Sequence, residues 1–226
     1  ALEAVECCGR LALALPIAGS MIRELEDCWQ EELVPMLKEE LSLEVSTEER
    51  IVNASLRCVE EKERKGVEAL FAVFGVFAED ELVPAAALDA IAPLVCSHAG
   101  LDGALRPHVK VRKWLQGLLK ASLLFGSVTD GGVRVHDLVR DVMIRRASAL
   151  NGGGMVGLQR EVLKLLLASF DAEAFDAQEA ASSFVAQRLS WHVRESLKPK
   201  APIHEDELMM RVITHESGDL RRQAAM

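Results

Sequence analysis

The chain has 226 residues, enough for one or two domains with a buried core; half of them are apolar and 27% are charged, which excludes a chain disordered throughout. Only 4% of the residues are aromatic and tyrosine is absent, which argues against an aromatic-lined groove for sugars or single-stranded nucleic acid. The formal net charge of −9 argues against general nucleic-acid binding.

The first 45 residues carry the periodicity of packed helices. Residues 2–26 predict one or two almost wholly apolar helices. A kink or a helix start is expected near Pro16, because proline in a helix interior removes a backbone hydrogen bond. An amphipathic helix follows over 27–41, and we predict a helical subdomain over 1–45. The apolar face of that amphipathic helix consists of Trp29, Leu33, Met36, Leu37 and Leu41.

A second domain is predicted over residues 46–150. Ser46 begins a capping sequence for the first of its helices. The predicted helices are 47–61, 66–77, 85–95 and 108–122. The last of them is basic and amphipathic, because apolar residues recur on one face and cations on the other. Its outward-facing cations are Lys110, Arg112, Lys113 and Lys120.

The periodicity changes after residue 122. Two short runs of β type, 123–128 and 133–136, flank a glycine-rich turn at 129–132, which predicts a β-hairpin. Asp137 is then predicted as the N-cap of a further helix, and Asp141 favours the positive end of that helix. The fold class predicted for the chain is therefore mainly α with one small hairpin.

Residues 151–154, with three successive glycines, form the clearest linker in the chain. Beyond it, helices are predicted near 158–170 and 177–197, and helix-forming residues resume over 205–226. We therefore predict that residues 151–226 contain a linker and the start of a helical region. Two helical pairs do not establish a repeat.

The sequence lacks the common catalytic motifs. It contains no G-x-x-x-x-G-K-[ST] phosphate loop, no H-E-x-x-H, no G-x-S-x-G and no G-x-G-x-x-G. Cys96 and His98 lie close enough in sequence to be two metal ligands, but no second pair has a suitable spacing. We therefore predict no catalytic residue and no metal site.

Cysteine usage and hydropathy predict the compartment. The five cysteines are odd in number and form no C-x-x-C, which favours a reduced, cytoplasmic protein. The apolar stretches at 11–22 and 67–77 are shorter than the roughly 20 residues that span a bilayer. No basic segment of the signal-peptide type precedes the first stretch, so no membrane partner is expected.

Three stretches of the chain, in order, resemble motifs of one protein family. Residues 8–15 read CGRLALAL, residues 70–80 read LFAVFGVFAED, and residues 135–141 read VHDLVRD. They are similar to the C-x-G-L-P-L-A-L, L-F-x-x-F-P-E-D and M-H-D-L-V-R-D motifs in the second half of the NB-ARC module. The first two thirds of the chain thus resemble part of the STAND class of nucleotide-switched ATPases, which includes plant disease-resistance proteins.

This resemblance implies a fold and a function. The fold would be the end of a helical ARC subdomain followed by a winged helix, and the function would be the regulatory half of an ADP/ATP-dependent signalling switch, as in defence responses. Leu11, Ala12 and Leu13 would lie beside the bound nucleotide, although Ala12 stands where the family has proline. His136 would contact the β-phosphate of ADP, and Asp137 would hold that histidine in place.

The resemblance also implies partners. A P-loop half acting in cis would hold Mg²⁺ and most of the phosphate contacts, and would make the parent protein a slow ATPase switch. A helical sensor region would follow downstream, and the activated protein would form a homo-oligomer. Because this chain has no phosphate loop, we expect no tight ADP binding by this chain alone.

Two other interpretations stay open. In a winged helix, Lys110, Arg112 and Lys113 would contact DNA in a major groove, and the turn at 129–132 would contact phosphates. Against this, the helix has no obvious set of side chains for contacting base edges, such as Asn or Gln with Arg in one helical turn. The chain would otherwise be a helical protein-interaction scaffold without a ligand. In either case His136 would only cap local backbone.

Overall fold

The computed structural model describes residues 2–41, 45–150, 154–171 and 180–196. It is mainly helical with one small antiparallel sheet, which confirms the predicted fold class. No helix within these ranges is both long and apolar enough to cross a membrane. The elements are α1 (Leu2–Cys7), α2 (Ala14–Leu25), a 3₁₀ turn (Glu26–Cys28), α3 (Trp29–Leu41), α4 (Thr47–Arg57), α5 (Glu61–Phe74), α6 (Ala85–His98), α7 (Pro107–Lys120), β1 (Phe125–Ser127), β2 (Gly132–Arg134), α8 (Asp137–Leu150), α9 (Gly154–Asp171) and α10 (Ala180–Ser196).

The first three helices follow the predicted pattern. Helix α2 begins at Ala14, so Pro16 lies in its first turn, where the missing N–H of proline costs no helical hydrogen bond. In α3, Leu33 and Leu37 of the predicted apolar face are fully buried and Met36 is partly buried, while the Leu41 side chain lies outside the described residues. Trp29 packs against the same core while remaining partly exposed.

The boundary between α4 and α5 differs from the prediction. Ser46 does cap α4, because its hydroxyl accepts the Glu49 N–H at 3.2 Å. However, α4 ends at Arg57 and not at residue 61, and α5 begins at Glu61 and ends at Phe74. The end of α4 is stabilised by Arg64, whose guanidinium donates to the carbonyl of Arg57 at 2.9 Å. Such a tertiary cap has no signature in the local sequence.

Helices α5, α6 and α7 precede the hairpin. β1 pairs with β2 with Ser127 opposite Gly132, which confirms the predicted hairpin with shorter strands. Val83, just before α6, adds a one-residue strand by exchanging backbone hydrogen bonds of 2.8 and 3.0 Å with Val133. Gly132 has φ +131°, and a Cβ there would lie 2.6 Å from the Val83 oxygen, so this approach requires glycine.

Helix α4 joins the two predicted helical parts. It packs against α2 and α3 on one side and against α8 on the other. Its buried residues, among them Ile51 and Val52, belong to the same apolar cluster as the cores of both parts. The proposed boundary near residue 45 stays a prediction.

The last two helices pack back onto the rest of the molecule. Helix α9 lies against α6 and α8, and α10 lies against α9 and α6, so one apolar cluster extends from Cys8 to Phe184. The helical character predicted for this region is confirmed. Of the predicted linker only Gly154, the first residue of α9, is described, and the helical continuation predicted over 205–226 lies outside the described residues.

Candidate functional site

His136 occupies the N-terminus of α8. Its carbonyl accepts the Arg140 N–H at 2.9 Å, so His136 is the residue at the N-cap position and Asp137 is the first helical residue. The predicted N-cap was therefore wrong by one residue. The error is small because the Asp137 carboxylate still accepts an end amide, the Leu138 N–H, at 2.7 Å.

Asp137 also holds the histidine ring. Its Oδ1 atom is in direct contact with Nδ1 of His136, and the Leu138 amide lies 3.4 Å from the same ring nitrogen. The His136 side chain remains 45% exposed. Within the described ranges no protein group bonds to its other ring nitrogen, Nε2. The ring is thus oriented from one side and presented to solvent at the positive end of a helix, where anions are favoured.

The Leu11–Leu13 segment lies next to the first turn of α8. It connects α1 to α2, with Leu11 and Leu13 half-buried and Ala12 exposed. Leu11 and Leu13 line a shallow apolar depression whose opposite wall includes Val139, and the depression has room for about one water molecule. Its lining consists of Leu11, Leu13, Ala14, Ile17, Glu48, Ile51, Val52 and Val139. The structure therefore brings the first motif and the α8 motif together, while Ala12 is not part of the lining.

The 70–80 stretch also contacts α8 and the residue before it. Arg140 donates from Nε to the Phe77 carbonyl at 2.5 Å, and the Asp80 N–H lies 3.4 Å from the Val135 carbonyl. These two contacts flank His136 in sequence. No role for Arg140 was predicted, and the only sequence signal for it is its position in the LVRD of the 135–141 stretch.

A buried carboxylate follows this segment. Glu81 is only 2% exposed, and its Oε2 accepts the Ala78 N–H at 3.0 Å. Its Oε1 lies 2.7 Å from Nε of Arg188 in α10. Burial raises the pKa of Glu81, and the Ala78 amide, Arg188 and Arg140 oppose that shift. Sequence analysis missed this residue, because its partner lies more than a hundred positions away.

Helix α10 covers the same region with aromatic side chains. The rings of Phe184 and His192 lie edge-on to Phe77, with centroids 6.0 and 5.9 Å away. The Gln159 side-chain amide is in hydrogen-bonding contact with Nδ1 of His192. Burial, and to a lesser extent Arg188, lowers the pKa of His192 to about 3. The histidine is therefore neutral at physiological pH.

Two of the four outward-facing cations of helix α7 are paired with acids of other helices. Arg112 forms a two-armed ion pair with Asp89 at 3.1 and 2.5 Å. Lys113 lies 2.6 Å from Glu63, whose pKa is lowered first by that lysine and also by a hydrogen bond from Trp114. Of the three cations proposed for DNA contact, only Lys110 forms no ion pair within the described ranges.

A wider groove lies away from the N-terminus of α8. It separates α2 and α4 from α5 and α7, and its volume, counted out to open solvent, is about 810 Å³. Its lining residues are Ser20, Met21, Glu24, Ser55, Cys58, Val59, Glu60, Glu63, Val67, Lys113, Trp114, Gln116, Gly117, Lys120 and Ala121. None of them belongs to α8 or to the 77–81 segment. Sequence analysis had no motif that pointed to this groove.

Comparisons with known proteins add no family. No protein-family model matches the chain, and no curated protein matches it. A functional assignment therefore has to be argued from the residues around the N-terminus of α8.

Proposed function

We propose that this chain is the regulatory half of an ADP/ATP-dependent signalling switch of the NB-ARC type. The observation that carries the proposal is the meeting of three sequence stretches around one helix end. Leu11 and Leu13 form one wall of the depression beside Val139, and the 77–80 segment is hydrogen-bonded on both sides of His136. Neither a protein-interaction scaffold nor a DNA-binding domain requires these three stretches to lie together at the N-terminus of α8.

The chemistry of this helix end suits a phosphate. An imidazole can donate a hydrogen bond to a phosphate oxygen, and the free amides of a helix N-terminus favour negative charge. Nδ1 of His136 contacts the Asp137 carboxylate, so Nε2 is the nitrogen that would meet the ligand, and it donates to a phosphate while Nδ1 donates to Asp137 when the ring carries both protons. The apolar depression beside Leu11 and Leu13 is too small to enclose a nucleotide, so it would form one side of a shared site.

The rest of that site would come from a P-loop half in cis, which supplies Mg²⁺ and the remaining phosphate contacts when nucleotide is bound. In the resting state ADP would bridge this half to the α8 end, and release of ADP would permit opening and homo-oligomerisation in the cytoplasm. A downstream helical region would sense the signal. The proposal gives the chain no catalytic residue of its own.

The experiment compares variants of a protein that joins this chain to its P-loop half. His136→Ala removes a charge-assisted hydrogen bond worth about 1.5–3 kcal/mol, so a fluorescent ADP analogue should leave about 10- to 100-fold faster. Light scattering should show more assembly. Leu138→Ala, a packing change in the same helix, should lower the melting temperature without selectively accelerating release. If the ADP analogue is released at the wild-type rate from the His136→Ala variant, His136 only caps the backbone of α8.

A further inference from the structure

We infer that Arg140 is a positioning residue that couples the docking of helix α10 to the arrangement of His136. Its consequence for nucleotide release rests on the proposed function, but the coupling itself does not. The inference depends on one side chain that serves two separate contacts, one toward the 77–81 segment and one toward α10.

The first contact fixes the start of α8. Arg140 lies one helical turn after His136, and its backbone N–H bonds to the His136 carbonyl at 2.9 Å. Its side chain bonds to the carbonyl of Phe77, a fully buried residue. On the other side of His136, Val135 accepts the Asp80 amide at 3.4 Å. The position of the histidine therefore depends on how α8 is joined to the 77–80 segment.

The second contact comes from α10. The guanidinium carbon of Arg140 lies 5.8 Å from the centre of the Trp191 ring, within the range of a cation–π interaction. Arg188, one turn earlier in α10, pairs with Glu81 at 2.7 Å. Helix α10 thus contacts both Arg140 and the 77–81 segment, to which Arg140 is hydrogen-bonded.

An arginine is suited to both tasks at once. The guanidinium is planar, so Nε can donate in the plane to the Phe77 carbonyl while the flat face lies over Trp191. A lysine retains the charge but has neither the Nε donor nor a flat face. If α10 dissociates from the rest of the molecule, Arg140 loses the Trp191 ring that restricts the rotation of its side chain. The hydrogen bond from Arg140 to the Phe77 carbonyl, which positions the start of α8, is then weaker.

Hydrogen exchange on the whole chain without nucleotide tests the coupling. Arg140→Lys and Trp191→Leu should each increase amide exchange in 135–141 by about fivefold or more, the lower end of ordinary intersite coupling. Trp191→Leu does not remove either partner of the Arg140–Phe77 hydrogen bond. Any increase in amide exchange in 135–141 in this variant therefore comes from the changed contact with α10. The ring resonances of His136 in nuclear magnetic resonance spectra should shift in the same variants.

Arg145→Lys is the matched control, because Arg145 lies on the same helix and pairs at 3.0 Å with Glu49 of α4 instead of with α10. It should leave exchange in 135–141 and the His136 resonances unchanged. The inference is overturned if Trp191→Leu loosens α10 while 135–141 exchange as in the wild type. Absence of any ADP effect in the parent protein would overturn the proposed function instead, and would leave this coupling standing.

Discussion

Gly66 of α5 lies directly against the indole ring of Trp114 in α7. A Cβ built on Gly66 would lie 2.0 Å from the indole Cε2 atom, far inside any allowed contact. The missing side chain lets the two helices approach, and it brings the indole N–H within 2.8 Å of the Glu63 carboxylate, about one turn earlier on α5. The glycine is therefore part of the packing between α5 and α7.

Gly66→Ala should destabilise the protein. Forcing extra volume into a packed core typically costs about 1–3 kcal/mol, which exceeds the roughly 1 kcal/mol that alanine gains over glycine in a helix. Gly117→Ala is the control, because a Cβ there meets only Val67 Cγ2 at 3.4 Å, an ordinary contact. Urea unfolding should show the first variant less stable than the wild type and the second equally or more stable. Equal stability of the two variants would contradict this packing.

Isolated, the chain should show no measurable ATPase activity and weak or no ADP binding. Most phosphate contacts of a P-loop nucleotide site come from the loop itself, and the sequence has none. Isothermal calorimetry with Mg²⁺ and ADP is the measurement, with the His136→Ala variant as a baseline. Tight, stoichiometric ADP binding that His136→Ala abolishes would contradict the division of the site between two halves.

DNA binding by α7 should be nonspecific and sensitive to salt. Two of its three candidate contact cations are engaged by Asp89 and Glu63, so few charges remain to neutralise phosphates. Duplex DNA should bind no better than another polyanion, and binding should vanish at physiological salt. Lys110→Ala is expected to remove most of what remains at low salt. A sequence-selective shift in a competition gel that survives physiological salt would favour the DNA-binding alternative.

The stability of the protein should fall in mild acid because of His192. Its folded-state pKa of about 3 lies below the ordinary value of 6.5, so the unfolded chain binds a proton first as the pH falls. The stabilisation is complete above about pH 6.5 and is lost toward pH 3, and about 2 kcal/mol should disappear between pH 7 and pH 5.

His192→Gln isolates this contribution, because a glutamine side chain can still hydrogen-bond to Gln159 and does not titrate. The difference in unfolding free energy between wild type and variant should shrink by about that amount from pH 7 to pH 5. Glu81, whose raised pKa acts in the opposite direction, cancels in the comparison because both proteins carry it. A difference independent of pH would mean that His192 is not buried as a neutral ring.

Much of the secondary structure followed from local sequence. Ser46 begins α4 because a hydroxyl at that position can accept an end amide, and the buried face of α3 follows from the three- and four-residue spacing of Leu33 and Leu37. The hairpin follows from the glycines that its turn requires. Helix ends were less predictable, since α4 stops at Arg57, whose carbonyl accepts a hydrogen bond from the guanidinium of Arg64.

The surface charge could not be predicted from the local sequence. Along the sequence, residues 21–68 carry 14 acidic and 7 basic side chains, while 104–150 carry 3 acidic and 9 basic ones, which suggests a basic surface. In the fold these segments face each other, as Lys113 meets Glu63 and Arg145 meets Glu49. The excess of positive charge is thus partly neutralised within the molecule.

The sequence by itself determined which segments are helical, where the hairpin turns and which stretches resemble a nucleotide switch, because periodicity, caps and turn residues act over a few neighbouring positions. Only the tertiary structure decided that Leu11 and Leu13 lie beside α8, that Glu81 is buried against Arg188, and that α10 reaches Arg140. Those contacts join residues that are distant in the chain. They depend on the simultaneous packing of several apolar faces, which no single segment encodes.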